Sequence, residues 1–559
     1  MKKSLFVLAL LGAAVPAHAA TPAWTIHLDR FFASPEDEVA ARADIVMLAE
    51  ALERQSAVID GAKDLLAAIE TQDRLRRVFR QHDLFLFLRY ALDTTHENAI
   101  ADADALRSRV RAAEHALAGA IAARGAAQLA QDRATLPGLA RYGFWLDTLT
   151  ETAARRPAKE AQNAENLFAS VAGARDYPRV AGSLTSGGSD EASKMASLGK
   201  ERRLLAHLLG DAIGSADAEA KLRGYKSAAD RAATEGKVEL AEYRALLAAV
   251  AAKGTAFKAR YAATADLFDS PLHWNAAESA KAIIGSARAF DPTYGAEFAA
   301  LLDPANGRAD LGLAGGTNRL PLYGAGSVYP IGTSTIYMQH YEGALLDLVA
   351  LAHESGHAVQ AQLMYKAKVP MTYATGPGYF TESFARFQEL LTLDYQRTHA
   401  PAAQRAVFRD ALLARLQAVF PSAEEAAIEI AIHDLYSEKG TLDPDALDAL
   451  TAEVGGRYSP RYAEIPARKG VWMLSEGYYM APMQEFNDAY AAFLAVRYWQ
   501  AWRADPVAFR KGYLTLLREG YDAPPADLLR RKLGIDMGAN DFVPTTLAAL
   551  ESEVERLRH

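Results

Sequence analysis

The sequence predicts a mainly α-helical chain, and three observations carry that prediction. Alanine, leucine, arginine and glutamate recur at helical spacing over residues 38–54, 101–124 and 201–251. Helical patterning resumes at Tyr341 and dominates to the C-terminus. Between these regions, residues 307–332 are rich in glycine, include Pro321 and Pro330, and read as turns and short strands. The expected plan is an N-terminal helical region, residues 20–255, followed by a second region, residues 256–559, of helices plus a small irregular or β element.

Residues 1–19 read as a signal peptide. Lys2 and Lys3 form a positive start, residues 5–15 an apolar core, and Ala17-His18-Ala19 a small-residue cleavage signal. The core is shorter than the roughly 20 residues a spanning helix needs. No later apolar run approaches that length, so no stable membrane insertion is expected. The expectation is export, to the periplasm or beyond, after cleavage. Past this segment, Ser34-Pro35-Glu36-Asp37 is a helix start: a capping hydroxyl, proline in the first turn, and acids at the positive dipole end. The Gly/Ser-rich residues 183–190 read as a loop, and no internal repeat is visible.

Composition removes several function classes. Half of the 559 residues are apolar, which excludes a disordered chain. There is no cysteine, so disulfide scaffolds, thiolate metal sites and cysteine nucleophiles are impossible. The formal net charge is −8 with no long basic run, which argues against nucleic acid as a partner.

His353-Glu354-Ser355-Gly356-His357 is an H-E-x-x-H pattern in a helical stretch over residues 343–363. Residues four apart lie one turn up the same helix face, so both imidazoles can reach one ion. Glu354 points about 100° away, where a carboxylate can act as general base on water rather than as a ligand. A catalytic zinc needs a third protein ligand and an open position. Glu382 follows His357 after 24 residues, room for the first helix to end and a second to return a carboxylate. Glu389, seven residues on, shares its face and is a candidate to take the free N–H of a ligand histidine; the alternative is a solvated helix carboxylate. Asp347 is a weaker candidate for the same task.

The residues around this motif resemble the zinc oligopeptidase family of thimet oligopeptidase and oligopeptidase F, gluzincin metallopeptidases. Tyr341-Glu342-Gly343, Asp347 and Leu351-Ala352-His353-Glu354-Ser355-Gly356-His357-Ala358-Val359 are similar to its zinc helix and the approach to it. The Glu382…Glu389 pair matches its third-ligand helix in spacing, and Ile428-Glu429-Ile430-Ala431-Ile432-His433 is similar to a family stretch rich in Phe, Glu and His. Tyr513-Leu514-Thr515-Leu516-Leu517-Arg518-Glu519-Gly520, then Leu528-Leu529 and Leu533-Gly534-Ile535-Asp536, look like its C-terminal signature. The resemblance covers about residues 310–540.

It implies a two-lobed helical body with a deep channel that admits short peptides and excludes folded proteins. It implies one zinc per chain on His353, His357 and Glu382, with Glu354 activating water for peptide-bond hydrolysis. One departure stands out. The family places a histidine and tyrosines ahead of its last long helices, where they stabilise the oxyanion and hold substrate. This chain has no histidine between His433 and His559, and the matching stretch is residues 476–486. Tyr479, then Tyr478, are the candidate oxyanion donors; the alternative is that they pack in a helical core. The family's second tyrosine falls at Gln484 or Phe486. Two other outcomes stay open at this point: a catalytically weakened peptide-binding homologue, and a peptidyl-dipeptidase acting from the C-terminus. The sequence says nothing about oligomeric state.

Overall fold

Ser34 starts the first helix as its sequence requires: its Oγ accepts from the Asp37 N–H at 3.1 Å, with Pro35 in the first turn. The computed structural model describes residues 24–152, 177–185, 191–261, 270, 272–313, 318–320, 323–326 and 334–558. The expected signal segment therefore lies outside the described residues. Helices α1 (Pro35–Ser56), α2 (Ala62–Leu92), α3 (Glu97–Thr135) and the short α4 (Gly143–Glu151) form the first unit. Val110, Leu117 and Ile121 of α3 meet Ile45, Leu65, Ile69 and Leu146 in a core of their own. The helical pattern expected to stop at residue 124 does so locally. Gly125 takes φ 71°, ψ 161°, a conformation open to glycine, and kinks α3 there.

Next come α5 (Tyr177–Thr185), α6 (Glu191–Leu198), α7 (Arg202–Leu222), α8 (Ala228–Glu235) and α9 (Leu240–Tyr261). Two expectations change here. Residues 183–185, expected in a loop, end α5, and 186–190 lie outside the described residues. The single helical run expected over 201–251 is three helices, because Ser227 caps a new start and Lys237 turns the chain with φ 58°.

After α10 (Ala276–Phe290) and α11 (Pro292–Leu301) comes a small sheet of β1 (Ala309–Asp310), β2 (Tyr323–Gly326) and β3 (Thr335–Met338). Strand β3 is central, parallel to β1 with Ala309 opposite Ile336, and antiparallel to β2 with Gly324 opposite Tyr337. Residues 323–326 thus form one of the short strands expected within the glycine-rich segment.

The remaining chain is helical. It runs through α12 (Leu345–Lys366), α13 (Gly378–His399), α14 (Arg405–Leu416), α15 (Val419–Lys439), α16 (Pro444–Gly456) and α17 (Arg461–Glu464). It ends with α18 (Glu476–Met480), α19 (Gln484–Ala504), α20 (Pro506–Glu519), α21 (Pro525–Leu533) and α22 (Phe542–Arg558). The mainly helical class and the small β element just before the H-E-x-x-H helix match the sequence pattern.

One continuous core runs from Tyr177 to Leu557, separate from that of α1–α4. Helices α7–α9 join it because their apolar faces are covered by later helices: the Tyr243 ring lies 4.8 Å from Phe486 and 5.9 Å from Tyr490. The two cores are tied by polar contacts. The Trp145 N–H donates to the Tyr373 hydroxyl at 3.3 Å, and the Met371 N–H to Asp73 Oδ1 at 2.6 Å. Among the described residues no helix is long and apolar enough to cross a membrane.

Candidate metal centre

A side chain in the first turn of helix α12 satisfies the three backbone amides that lead into it. Asp347 Oδ2 accepts from the backbone N–H groups of Glu342, Gly343 and Ala344 at 2.8, 2.9 and 3.1 Å. This places a negative charge at the positive end of the helix and fixes its start. Asp347, expected as a partner for a ligand histidine, is therefore spent on the helix start instead. From this anchored end, His353 and His357 rise on one face of α12.

The partner helix α13 comes close because Gly356 has no side chain. A Cβ built there would stand 2.9 Å from the Ala385 Cα and 3.3 Å from the Gln388 Cβ. Asn487 on α19 braces the start of α13 by accepting from the Tyr379 N–H at 2.9 Å, and Arg386 pairs with Asp488 at 2.5 Å. Glu382, one turn into α13, is thereby carried to the two histidines.

Three ligand atoms converge. His353 Nε2 lies 3.1 Å from Glu382 Oε2, His357 Nε2 lies 3.4 Å from the same oxygen, and the two nitrogens are 3.2 Å apart. Ligands about 2.0–2.1 Å from a tetrahedral ion stand about 3.3 Å from one another, so this triangle is one face of such a tetrahedron. The side chains remain 21%, 19% and 24% exposed, which leaves the fourth corner open to solvent, unlike a closed structural site. Among the described residues this is the group of His and carboxylate side chains able to hold a metal ion.

The surroundings favour positive charge at that point. Glu389, 3% exposed, accepts from His353 Nδ1–H at 2.7 Å, which turns Nε2 toward Glu382. Arg415 lies 2.9 Å from the other Glu389 oxygen and holds that carboxylate in place. Burial opposes charge on His353, yet hydrogen bonds to Glu382 and Glu389 raise it to about 10. Burial also opposes ionisation of Glu382, but the charges of both imidazoles keep it well below the usual carboxylate range. Glu354, half-buried, sits beside His353 on the same helix.

A cavity of about 590 Å³ is linked to this group through Tyr521 in its wall, none of the three metal-binding side chains lining it directly. It is walled by Gly376-Pro377-Gly378, which lead into α13, by Tyr521 and by Trp145. Tyr521 was not foreseen as a site residue. Its hydroxyl accepts from Gln360 of α12 at 2.6 Å and feels the charge of Glu382. The available signal was its position, directly after the Tyr513–Gly520 stretch.

No protein-family model matches the chain. Over 231 residues it is 24% identical to the chromosomal oligoendopeptidase F of Lactococcus lactis subsp. cremoris, which is 40% of this chain and 37% of that protein. An oligoendopeptidase F homolog of Lactococcus lactis subsp. lactis is 25% identical over 234 residues, covering 40% and 38%. The matched stretch thus spans little more than a third of these curated relatives. In structure the likeness covers nearly everything. The oligoendopeptidase-F of Enterococcus faecium superposes with TM-score 0.61 at 16% identity, over 95% of this chain and 99% of that one. A PZ peptidase A solved with an inhibitor superposes with TM-score 0.71 at 13% identity, over 94% and 97%. This chain has the oligoendopeptidase F fold. The resemblance read from residues 310–540 is therefore borne out, and the likeness extends to the N-terminal helices.

Within the oligoendopeptidase F fold, residues 476–486 depart from expectation. Tyr478 is buried and donates its hydroxyl to the Glu425 carbonyl at 2.8 Å. Tyr479 is fully buried and stacks on Tyr177 with ring centroids 4.0 Å apart; its hydroxyl has no partner among the described residues. Both expected oxyanion donors thus pack in the helical core, as the apolar surroundings of α18 dictate. The turn after them is held by Glu429, whose two oxygens accept from the Met483 and Glu485 N–H groups at 2.5 and 3.2 Å.

Proposed function

We propose that this chain is a zinc-dependent oligopeptidase that hydrolyses peptide bonds in short peptides, one zinc per chain. The observation that carries this reading is the His353–His357–Glu382 triangle with Glu354 beside it on the same helix. Two imidazoles and a carboxylate with one open corner form a donor set that suits catalytic zinc. When bound, zinc supplies the Lewis acidity that brings water within reach of deprotonation near neutral pH and polarises the scissile carbonyl.

The chain's own groups do the rest. Glu354 takes a proton from the attacking water on a carboxylate oxygen and passes it to the leaving amide nitrogen. Glu389 holds the His353 ring in one tautomer and orientation. Tyr521, with Gln360 donating to its oxygen, has its own O–H proton free for a substrate carbonyl in the cavity, the task expected of Tyr479. Glu354→Gln keeps all three ligands and removes the base. Its turnover of short peptides should fall by about 10²–10⁴ while stoichiometric zinc is retained; wild-type turnover in that variant overturns the mechanism.

A second reading, a peptide-binding homologue with little turnover, draws on the core burial of Tyr478 and Tyr479. Incubating the protein with mixed short peptides separates the two: chelator-sensitive fragments support the peptidase, binding without fragments the other. Residues 1–19 are proposed to direct export and to be removed after Ala19. An N-terminus at Ala20 in protein recovered from the periplasm or the medium is the expected result.

A further inference from the structure

A second cavity of about 560 Å³ adjoins the one walled by Tyr521 and shares Trp145, Thr372 and Thr375 with it. Its far wall belongs to α2 and α3. Arg76 and Arg80 are four residues apart on α2, and Arg107 and Arg111 four apart on α3, so each pair lies on one face and both line the same space. Two of these cations are neutralised across the helix pair. Arg76 meets Glu114 at 2.5 Å and Arg107 meets Asp83 at 2.7 Å. Arg80 and Arg111 have no carboxylate partner among the described residues, and Arg111 reaches only the Ser108 hydroxyl, at 3.5 Å. The cavity therefore carries a surplus of two positive charges in a chain whose net charge is −8. The first cavity, by contrast, balances Arg231 and Lys237 against Glu219 and Glu235.

Guanidinium groups without a partner in a partly walled space recognise carboxylates by paired N–H donation, and a concave wall raises the local field. A peptide lying through the first cavity reaches the arginines by passing Trp145 and residues 372–375. We propose that the α2–α3 cavity is a substrate subsite for a carboxylate, supplied by an acidic side chain or by a free C-terminus, so that anionic peptides are the preferred substrates. This rests on the peptidase reading above.

The test uses one peptide core in four forms: glutamate or lysine near an end, each with a free or an amidated C-terminus. The full-length zinc-loaded protein should favour the form carrying the bound carboxylate, glutamate over lysine or free acid over amide, by about five- to tenfold in kcat/KM, mostly through KM, and the preference should shrink as salt is raised. The Arg80→Gln/Arg111→Gln double variant should bring the ratio close to one, and Arg80→Lys/Arg111→Lys should restore part of it. If the free acids outperform the amides whichever side chain is present, the C-terminal carboxylate is the group bound; if glutamate keeps its advantage in the amides, the side chain is. Equal rates for all four forms, or a carboxylate preference that survives the double glutamine variant, overturns the assignment. Absence of cleavage of every peptide would sink the peptidase reading instead, and equilibrium binding of the same peptides would still decide the subsite.

Discussion

Gly356 and Ala385 face each other where the two helices that carry the metal-binding side chains pack together, with room for no further carbon between them. That proximity lets Glu382 of α13 reach across to His353 and His357 of α12. An alanine at an ordinary helix interior would stabilise by about 0.5–1 kcal/mol over glycine. Here the added methyl meets backbone, and overpacking costs about 1–3 kcal/mol. Gly356→Ala should therefore lower the melting temperature of the metal-free protein and weaken zinc binding. A variant that melts higher and binds zinc as tightly as wild type would show that the helices can part without cost.

The buried Glu389 carboxylate contributes through His353. Glu389→Gln leaves an acceptor for His353 Nδ1–H but removes the charge that Arg415 also faces. Zinc affinity, read by chelator competition, should fall about 10- to 100-fold. An unchanged affinity would mean that Glu389 serves packing alone.

The two tyrosines make opposite predictions. Tyr479→Phe removes a hydroxyl that has no partner among the described residues, so turnover should change by less than about twofold. Tyr521→Phe removes a phenol at the cavity wall, where loss of a donor to the oxyanion costs about 10²–10³. Steady-state kinetics on one peptide compares them directly, and the reverse order would return Tyr479 to the chemistry.

Stability should fall as the pH rises from about 5 to 8, and Glu429 is a main cause. Burial pushes its carboxyl up to about 8, against two backbone N–H donations that act to lower it. The native state then holds a proton that the unfolded chain releases near 4.5, so unfolding gains with pH across that window. Burial and neighbouring carboxylates raise Glu425 and Glu485 in the same sense. Glu429→Gln keeps a neutral side chain there and should flatten part of the slope in denaturation midpoints measured across that range. A slope identical to wild type would assign the effect to the other two carboxylates.

What the sequence determined by itself was whatever depends on short-range periodicity. Ser34 and Pro35 set a helix start, the four-residue step put His353 and His357 on one face, and the seven-residue step aligned Glu389 with Glu382. Each follows from the geometry of a single helix. Tertiary structure decided what depends on which faces meet. It sent Tyr478 and Tyr479 into the core, because later and earlier helices close over α18. It turned Asp347 to the amides that start α12, joined α7–α9 to the second core, and brought Tyr521 beside helices more than a hundred residues earlier. A side chain's partner across such distances is chosen by packing, and no local pattern in the chain encodes it.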